Sequence, residues 1–290
     1  MKKTVSIFIP AYNEEKNMKN LLSQILVQDQ TNFVLEKILV VSDASIDKTV
    51  LETRSLKNPL IEIIENKERM GKWFGFTIAQ KRLASDIIIS LDADICITDT
   101  RLFEKISLAL SYNDIVSVRQ VPNDAITFFQ KIMKVGADIT RSCYEETGNS
   151  ISLCNGRCIG MTKELFSNIY WQEVYGTDVY IYLQAILLHK KFKYIPESEV
   201  YYIPPKTILD YIKQSSRAYA VAKLMEEKLS IVYSRYTKPF SKKIFFLKTL
   251  NSLRVNFFTT LLYILVYLFT RPFCIIKKQK VLWSIATSTK

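Results

Sequence analysis

The chain contains a single histidine, His189, in 290 residues. That excludes a multi-histidine metal centre and any mechanism that needs two imidazoles. Glycine is nearly as scarce, at seven residues. The segment "KERMGKW" (Lys67–Trp73) has a Gly-Lys step but neither the upstream glycine nor the following Ser/Thr of a phosphate-cradling Walker loop. The cysteines, Cys96, Cys143, Cys154, Cys158 and Cys274, are odd in number and scattered, which argues for reduced thiols rather than a disulfide framework. Cys154 and Cys158 have no second pair to complete a zinc site. No internal repeat or low-complexity tract occurs, and 48% hydrophobic residues suffice for a sizeable core.

Acidic residues are missing from one region altogether. After Glu227 there is no Asp or Glu, while twelve Lys and Arg occur there; the rest of the chain holds 28 of each sign. The whole excess of +12 therefore lies in the last 63 residues. The same region holds "VNFFTTLLYILVYLFT" (Val255–Thr270), sixteen residues without a charge. That length falls between an interfacial helix of about 10–14 residues and a membrane span of about 20. Lys242, Lys243, Lys248 and Arg254 precede it, and Lys277, Lys278 and Lys280 follow it. With basic residues on both sides, the positive-inside rule gives no orientation. The pattern predicts attachment to an anionic membrane surface, either as one span or as a helix lying in one leaflet; the alternative is a buried core helix with basic flanks. The basic residues flank aliphatic runs instead of alternating with exposed aromatics, so nucleic acid is not the expected partner. At the other end, "MKKTVSIFIPAY" imitates a signal peptide, but its apolar stretch is short and runs into "NEE" without a cleavage site. It reads as a first strand, with the catalytic part in the cytoplasm.

What is present is an alternation. "TVSIFIP", "EKILVVS", "LIEIIE" and "DIIIS" read as strands, and "EEKNMKNLLSQILVQ", "SIDKTVLETRSLK" and "KWFGFTIAQKRLA" as the helices between them. In the first helix Met18, Leu21, Leu22, Ile25 and Leu26 share a face, and Ser45 offers capping chemistry for the second. The strands are continuous apolar runs, as in a parallel sheet covered on both faces. This spacing predicts a doubly wound, mostly parallel α/β sheet. Further on, helices are expected over "NDAITFFQKIMKVGADITRSCYEE", "TDVYIYLQAILLHKK" and "TILDYIKQSSRAYAVAKLMEEK". Strands are expected over "SLCNGRCIGMT", "FKYIP" and "SEVYYIP".

Such sheets bind ligands beyond the carboxyl ends of their strands. Polar clusters stand at those ends: "PAYNEE", "SDAS" and "SLDADICITD". In the last, Asp92 and Asp94 point the same way, because side chains alternate along an extended segment. Paired carboxylates repel, and a hard divalent cation, Mg2+ or Mn2+, offsets that repulsion while keeping sites for water and phosphate.

Taken in order, "IPAYNEE", "VVSDASIDKT", "NKERMGK" and "LDAD" resemble the family 2 inverting glycosyltransferases of GT-A fold, over roughly residues 4–220. The resemblance implies a nucleotide-sugar donor held by Pro10, Ala11, Tyr12, Glu14 and Asp43. Lys72, or Arg69 beside it, would meet the diphosphate, Asp92 the ribose or the metal, and Asp94 the metal. Asp178, in "VYGTDVYIYL", would be the base that deprotonates the acceptor hydroxyl. "QSSRA" resembles the family's Q-x-x-R-W signature, with Arg217 toward the diphosphate and Gln214 toward the acceptor; Asn155 and Gly156 match an acceptor-side segment. Ser42, Ala44, Thr177 and Ala218 depart from the family's pattern. The expected acceptor is lipid-linked or a glycan. The expected organisation is a catalytic domain over 1–205, an amphipathic segment over 206–243 and a basic, apolar tail over 244–290. Two rivals are a sugar nucleotidyltransferase, which would want glycines in "PAYNEE", and a degenerate membrane-bound subunit without activity.

Overall fold

A computed structural model of the protein describes residues 2–123, 127–148, 150–236 and 241–276. Lys277, Lys278 and Lys280, expected to follow the apolar run, lie outside the described residues. The first elements alternate: β1 (Lys3–Ala11), α1 (Met18–Leu26), β2 (Phe33–Ser42), α2 (Thr49–Ser55), β3 (Ile61–Glu65), α3 (Lys72–Arg82) and β4 (Ile87–Leu91). β5 (Ile95–Cys96), α4 (Leu102–Ala109), β6 (Ile115–Pro122), α5 (Phe128–Thr147), α6 (Ser150–Leu153), β7 (Cys158–Thr162), α7 (Lys163–Asn168), α8 (Thr177–Leu187) and β8 (Phe192–Tyr202) follow. The chain continues through α9 (Ile208–Tyr236), α10 (Lys242–Val255) and α11 (Phe257–Ile276).

The strands form one eight-stranded sheet in the order β3-β2-β1-β4-β7-β6-β8-β5. β3, β2, β1 and β4 are parallel, whereas β7 runs antiparallel to both β4 and β6. The parallel part follows from its sequence. β4 buries all five residues and β1 buries Val5 through Ile9 without interruption. Helices cover such strands on both faces. Met18, Leu21, Leu22 and Ile25 of α1 are buried in the core cluster with Val5, Ile7 and Ile9, while Phe76 of α3 meets Phe8 edge-on at 4.7 Å.

Several expectations need correction. β5, α4 and β6 lie outside the elements expected from the sequence, although α4 buries Leu102, Phe103 and Ile106 on one face. "SLCNGRCIGMT" is a strand only from Cys158, because residues 150–153 form a helical turn and 154–157 a bend that reaches the site described below. "FKYIP" and "SEVYYIP" are one strand, β8; Pro196, which has no N–H to give, is tolerated at an exposed position within it. Ser45 does not cap α2, which begins at Thr49. Its hydroxyl instead accepts the Asn13 N–H at 3.1 Å.

The chain divides into two compact units. One comprises Met1–Gln120 and Cys154–Tyr201; the other comprises Val121–Leu153 and the described residues from Tyr202 onward. In the second unit a Thr127/Gln130 capping box starts α5, and Gly148 (φ 60°) ends it. α5 packs with α10 and α11 around Ile132, Met133, Ile139, Cys143 and Tyr263. Gly136 is required there, since a Cβ on it would stand 2.0 Å from the Tyr263 ring. By length and composition Phe257–Cys274 of α11 could cross a membrane.

Candidate active site

Because β1, β2 and β4 are parallel, their carboxyl ends open at one edge of the sheet, and polar side chains gather there in two linked groups. The first is organised by Asp43, just past β2. Its N–H donates to the Ala11 carbonyl at 2.8 Å, which ties the ends of β1 and β2 together. Its nearly buried carboxylate accepts from the N–H groups of Met70 (2.8 Å) and Gly71 (2.9 Å) and from Asn66 Nδ2 (3.2 Å). Gly71, at φ 89°, adopts a backbone that glycine alone reaches cheaply, and α3 begins on the next residue. Asp43 thus fixes where α3 starts, and with it the root of Lys72. Arg69 bridges this group to Tyr12: its guanidinium carbon lies 3.9 Å from the Tyr12 ring centre and its Nε 4.0 Å from Asp43 Oδ2.

The loops after β1 and β2 are laced together. Asn13, left-handed at φ 52°, accepts the Ile46 N–H at 2.9 Å; Glu14 N–H donates to Thr49 Oγ1 at 2.7 Å. The buried Glu14 also serves α1 directly. Its carbonyl receives the N–H groups of Asn17 and Met18, and its carboxylate receives Asn17 Nδ2 at 2.7 Å. The sequence did not mark Asn13 or Asn66, whose parts depend on a neighbouring loop distant in sequence.

The second group links the residue after β4 to the start of α8. Lys72 Nζ donates to Asp92 Oδ1 at 2.6 Å and to the Gly156 carbonyl at 3.2 Å. The N–H of the same Gly156 donates to Asp178 Oδ2 at 3.3 Å. One residue therefore joins a lysine bound to a strand-end carboxylate with an acid in the first turn of a helix. A side chain at Gly156 would be tight: a Cβ would lie 3.2 Å from Asp178 Cβ, which would have to give by a few tenths of an ångström, and 3.4 Å from Lys72 Nζ. The bend is held by Asn155, whose Oδ1 accepts the Arg157 N–H at 3.2 Å and whose N–H reaches Ser117 Oγ at 3.3 Å. Arg157 O in turn accepts the Asp92 N–H at 3.0 Å, and its guanidinium donates to Gln120. Asp178 is the second residue of α8, whose N-cap is Gly176, left-handed at φ 78°, and it sits at the positive end of the α8 dipole.

Electrostatics single out Asp94. Burial first, and the neighbouring Asp92 charge second, push its carboxyl above the usual carboxylate range, with Arg157 and Lys72 pulling the other way. Burial also raises the Cys154 and Cys158 thiols, helped by Asp178 and Asp92 respectively, so neither is a thiolate nucleophile. Among the described residues no group of three or more His, Cys, Asp or Glu could cage a metal by itself. The Asp92–Asp94 pair is the right donor set for a hard cation that completes its shell with water and phosphate, and such a cation would relieve the charge crowding at Asp94.

Of the residues marked in the sequence, the structure brings together Lys72, Asp92, Gly156 and Asp178, with Asp94 close in charge. Tyr12, Asp43 and Arg69 form the adjoining group, with Pro10 and Ala11 at the end of β1. Gln214 and Arg217 lie half-buried on α9 in the second unit.

This sheet, with its acids at the carboxyl ends of parallel strands, is a GT-A-like architecture. The family model described as Glycosyl transferase family 2 matches residues 6–170, and the chain belongs to that family. A mannosyltransferase from Pyrobaculum calidifontis, solved with GDP-Man and Mn2+, superposes with a TM-score of 0.63 at 16% identity, over 92% of this chain and 76% of that one. Glucosyl-3-phosphoglycerate synthase from Mycobacterium tuberculosis, solved with Mn2+, UDP and phosphoglyceric acid, gives 0.57 at 15% identity, over 82% and 80%. At such identities the likeness is one of fold. In sequence, a 4,4'-diaponeurosporenoate glycosyltransferase from Staphylococcus aureus (strain bovine RF122 / ET3-1) is 34% identical over 73 residues, a quarter of this chain. The chain spans 18% of that relative's length.

Proposed function

We propose that this chain is an inverting, metal-assisted glycosyltransferase that moves a sugar from a nucleotide-sugar donor to a lipid-linked or glycan acceptor at the cytoplasmic face of a membrane. The observation that carries the reading is the run of contacts from Asp92 through Lys72 and Gly156 to Asp178. It sets a cation and a metal-type carboxylate, suited to a diphosphate, beside a second carboxylate suited to a proton.

In this reading Pro10, Ala11 and Tyr12 line the nucleotide's entry with Asp43 and Glu14 behind them. Arg69, stacked on Tyr12, turns from Asp43 toward the diphosphate. Asp92 and Asp94 hold Mg2+ or Mn2+, a role supported by the Mn2+ in two of the structural neighbours. When bound, the cation offsets charge on the departing diphosphate. Asp178 takes the proton of the acceptor hydroxyl as its oxygen attacks the anomeric carbon. The bond from that carbon to the diphosphate breaks on the opposite face, so the configuration inverts. Lys72 follows the charge that develops on the leaving diphosphate, while the Gly156 N–H keeps Asp178 aimed. Asn155 and Gly156 border the acceptor. The GDP-Man and UDP bound in the neighbours support a nucleotide donor without fixing the base. The membrane placement rests on the basic, apolar α10–α11 region.

The test is release of nucleoside diphosphate from a panel of nucleotide sugars, with Mn2+, Mg2+ or chelator, in detergent with a polyprenyl-phosphate or glycolipid acceptor. The expected result is metal-dependent release with one donor and a product of inverted anomeric configuration by NMR. A product of retained configuration, or pyrophosphate formed from a sugar phosphate and a nucleoside triphosphate, would overturn it.

A further inference from the structure

α11 keeps much of its apolar surface outward. Among its described residues the buried side chains are Thr260, Tyr263, Thr270 and Cys274, three of them hydroxyl-bearing, with Leu262, Val266 and Tyr267 partly buried beside them. Thr260 and Ser252 of α10 share a hydrogen bond of 2.8 Å, and Tyr263 lies against Gly136 of α5. The opposite stripe, Phe258, Leu261, Leu265, Leu268, Phe269 and Phe273, is 41–78% exposed. Only 22% of Phe257–Cys274 is buried. A helix folding in water turns such a stripe inward.

The same packing speaks against a span. α11 contacts both α5 and α9, and those helices carry charge. α5 holds Lys134, Asp138 and Arg141, the last two paired at 2.7 Å; α9 holds Lys223 and Glu227 at 3.9 Å. Were α11 to cross a bilayer in this packing, these charges would enter hydrocarbon beside it, at a steep cost. With its packed side toward water, only the apolar stripe is wetted by lipid. Lys242, Lys243, Arg254 and Arg271 are exposed along α10 and α11, and neither helix has an acid to oppose an anionic headgroup.

We infer that α11 lies in the plane of the membrane, its Phe258-to-Phe273 stripe sunk into one leaflet of an anionic bilayer and its Thr260/Tyr263 side packed on α5 and α9. This deepens the membrane placement proposed above and is independent of sugar transfer.

The test uses the full chain carrying Cys96→Ser, which removes the one part-exposed native thiol, with single nitroxide labels at Phe258→Cys, Leu265→Cys and Phe273→Cys, sites far more accessible than the buried Cys143, Cys154, Cys158 and Cys274. The protein is bound to vesicles of equal parts phosphatidylcholine and phosphatidylglycerol. In-plane immersion places all three labels at one depth, and the protein floats with these vesicles much more than with phosphatidylcholine alone. Leu265→Glu with Phe269→Glu removes flotation while thermal unfolding stays unchanged. Depths graded over about 22 Å, the helix length between the outer labels, would overturn the inference in favour of a span. Labels that never meet lipid would overturn it and the membrane placement together, leaving the nucleotide-release assay untouched. Labels masked by self-association without lipid would assign the stripe to a second copy and overturn it as well.

Discussion

Lys72 donates to Asp92 at 2.6 Å and, through the same ammonium, to the carbonyl of Gly156. The pair is part-exposed, at 28% and 31%, so its contribution to folding is at most about 1 kcal/mol. Under the proposed function its charge at the sheet mouth serves a bound diphosphate. Lys72→Met is expected to leave urea unfolding within that limit and to lower kcat/KM by about 10²-fold, the usual cost of one preorganised electrostatic partner. Equal activity in Lys72→Met would remove the lysine from the chemistry.

Substitutions at Asp178 and Gly156 test whether proton transfer can be separated from donor binding. Asp178→Asn is expected to keep donor affinity and lose about 10²–10⁴-fold in turnover, the range for general base catalysis. Gly156→Ala brings a methyl within 3.2 Å of Asp178 Cβ. It is expected to cost about 1–3 kcal/mol in stability and to lower turnover, again with donor affinity held. Single-turnover kinetics alongside donor titration would read both. A loss of donor binding in Asp178→Asn would move that residue from acceptor to donor side.

The strand ends were readable because their signals are local. Unbroken apolar runs such as the "III" of "DIIIS" mark parallel strands, and the first charged residues after them, Asp43 and Asp92, fall at the mouth. What joins those ends was not readable. Asp43 spends its carboxylate on backbone N–H groups of Met70 and Gly71, and backbone donors leave no trace in side-chain pattern. Gly156 meets Lys72 and Asp178 only through the turn before β7, across 84 and 22 positions of sequence. Likewise "VNFFTTLLYILVYLFT" announces an apolar helix, but not that Tyr263 and the threonines form its packed side. Composition does not encode which face meets α5.

Asp43 tests how far the donor loop depends on one carboxylate. Asp43→Ala would leave the Met70 and Gly71 N–H groups without their acceptor, at about 1–3 kcal/mol. Amide exchange at those two residues is expected to rise sharply while exchange in β4 stays slow, and donor affinity is expected to fall. Unchanged exchange at Met70 and Gly71 would refute the anchoring.

Asp94 tests the metal. In the wild type a bound nucleotide sugar at a hundred times its Kd adds about 2.7 kcal/mol, seen as a rise in Tm that requires Mn2+ or Mg2+. The rise is expected to vanish in Asp94→Ala, because Asp92, already paired with Lys72, is left as the one carboxylate of the pair. The burial that raises Asp94's carboxyl also makes its removal harmless to the fold: without ligand, Asp94→Ala is expected to be as stable as the wild type or more so. Nucleotide alone raising Tm equally in both proteins, with or without metal, would assign donor binding to Tyr12, Asp43 and Lys72 and leave the Asp92–Asp94 pair without a cation to hold.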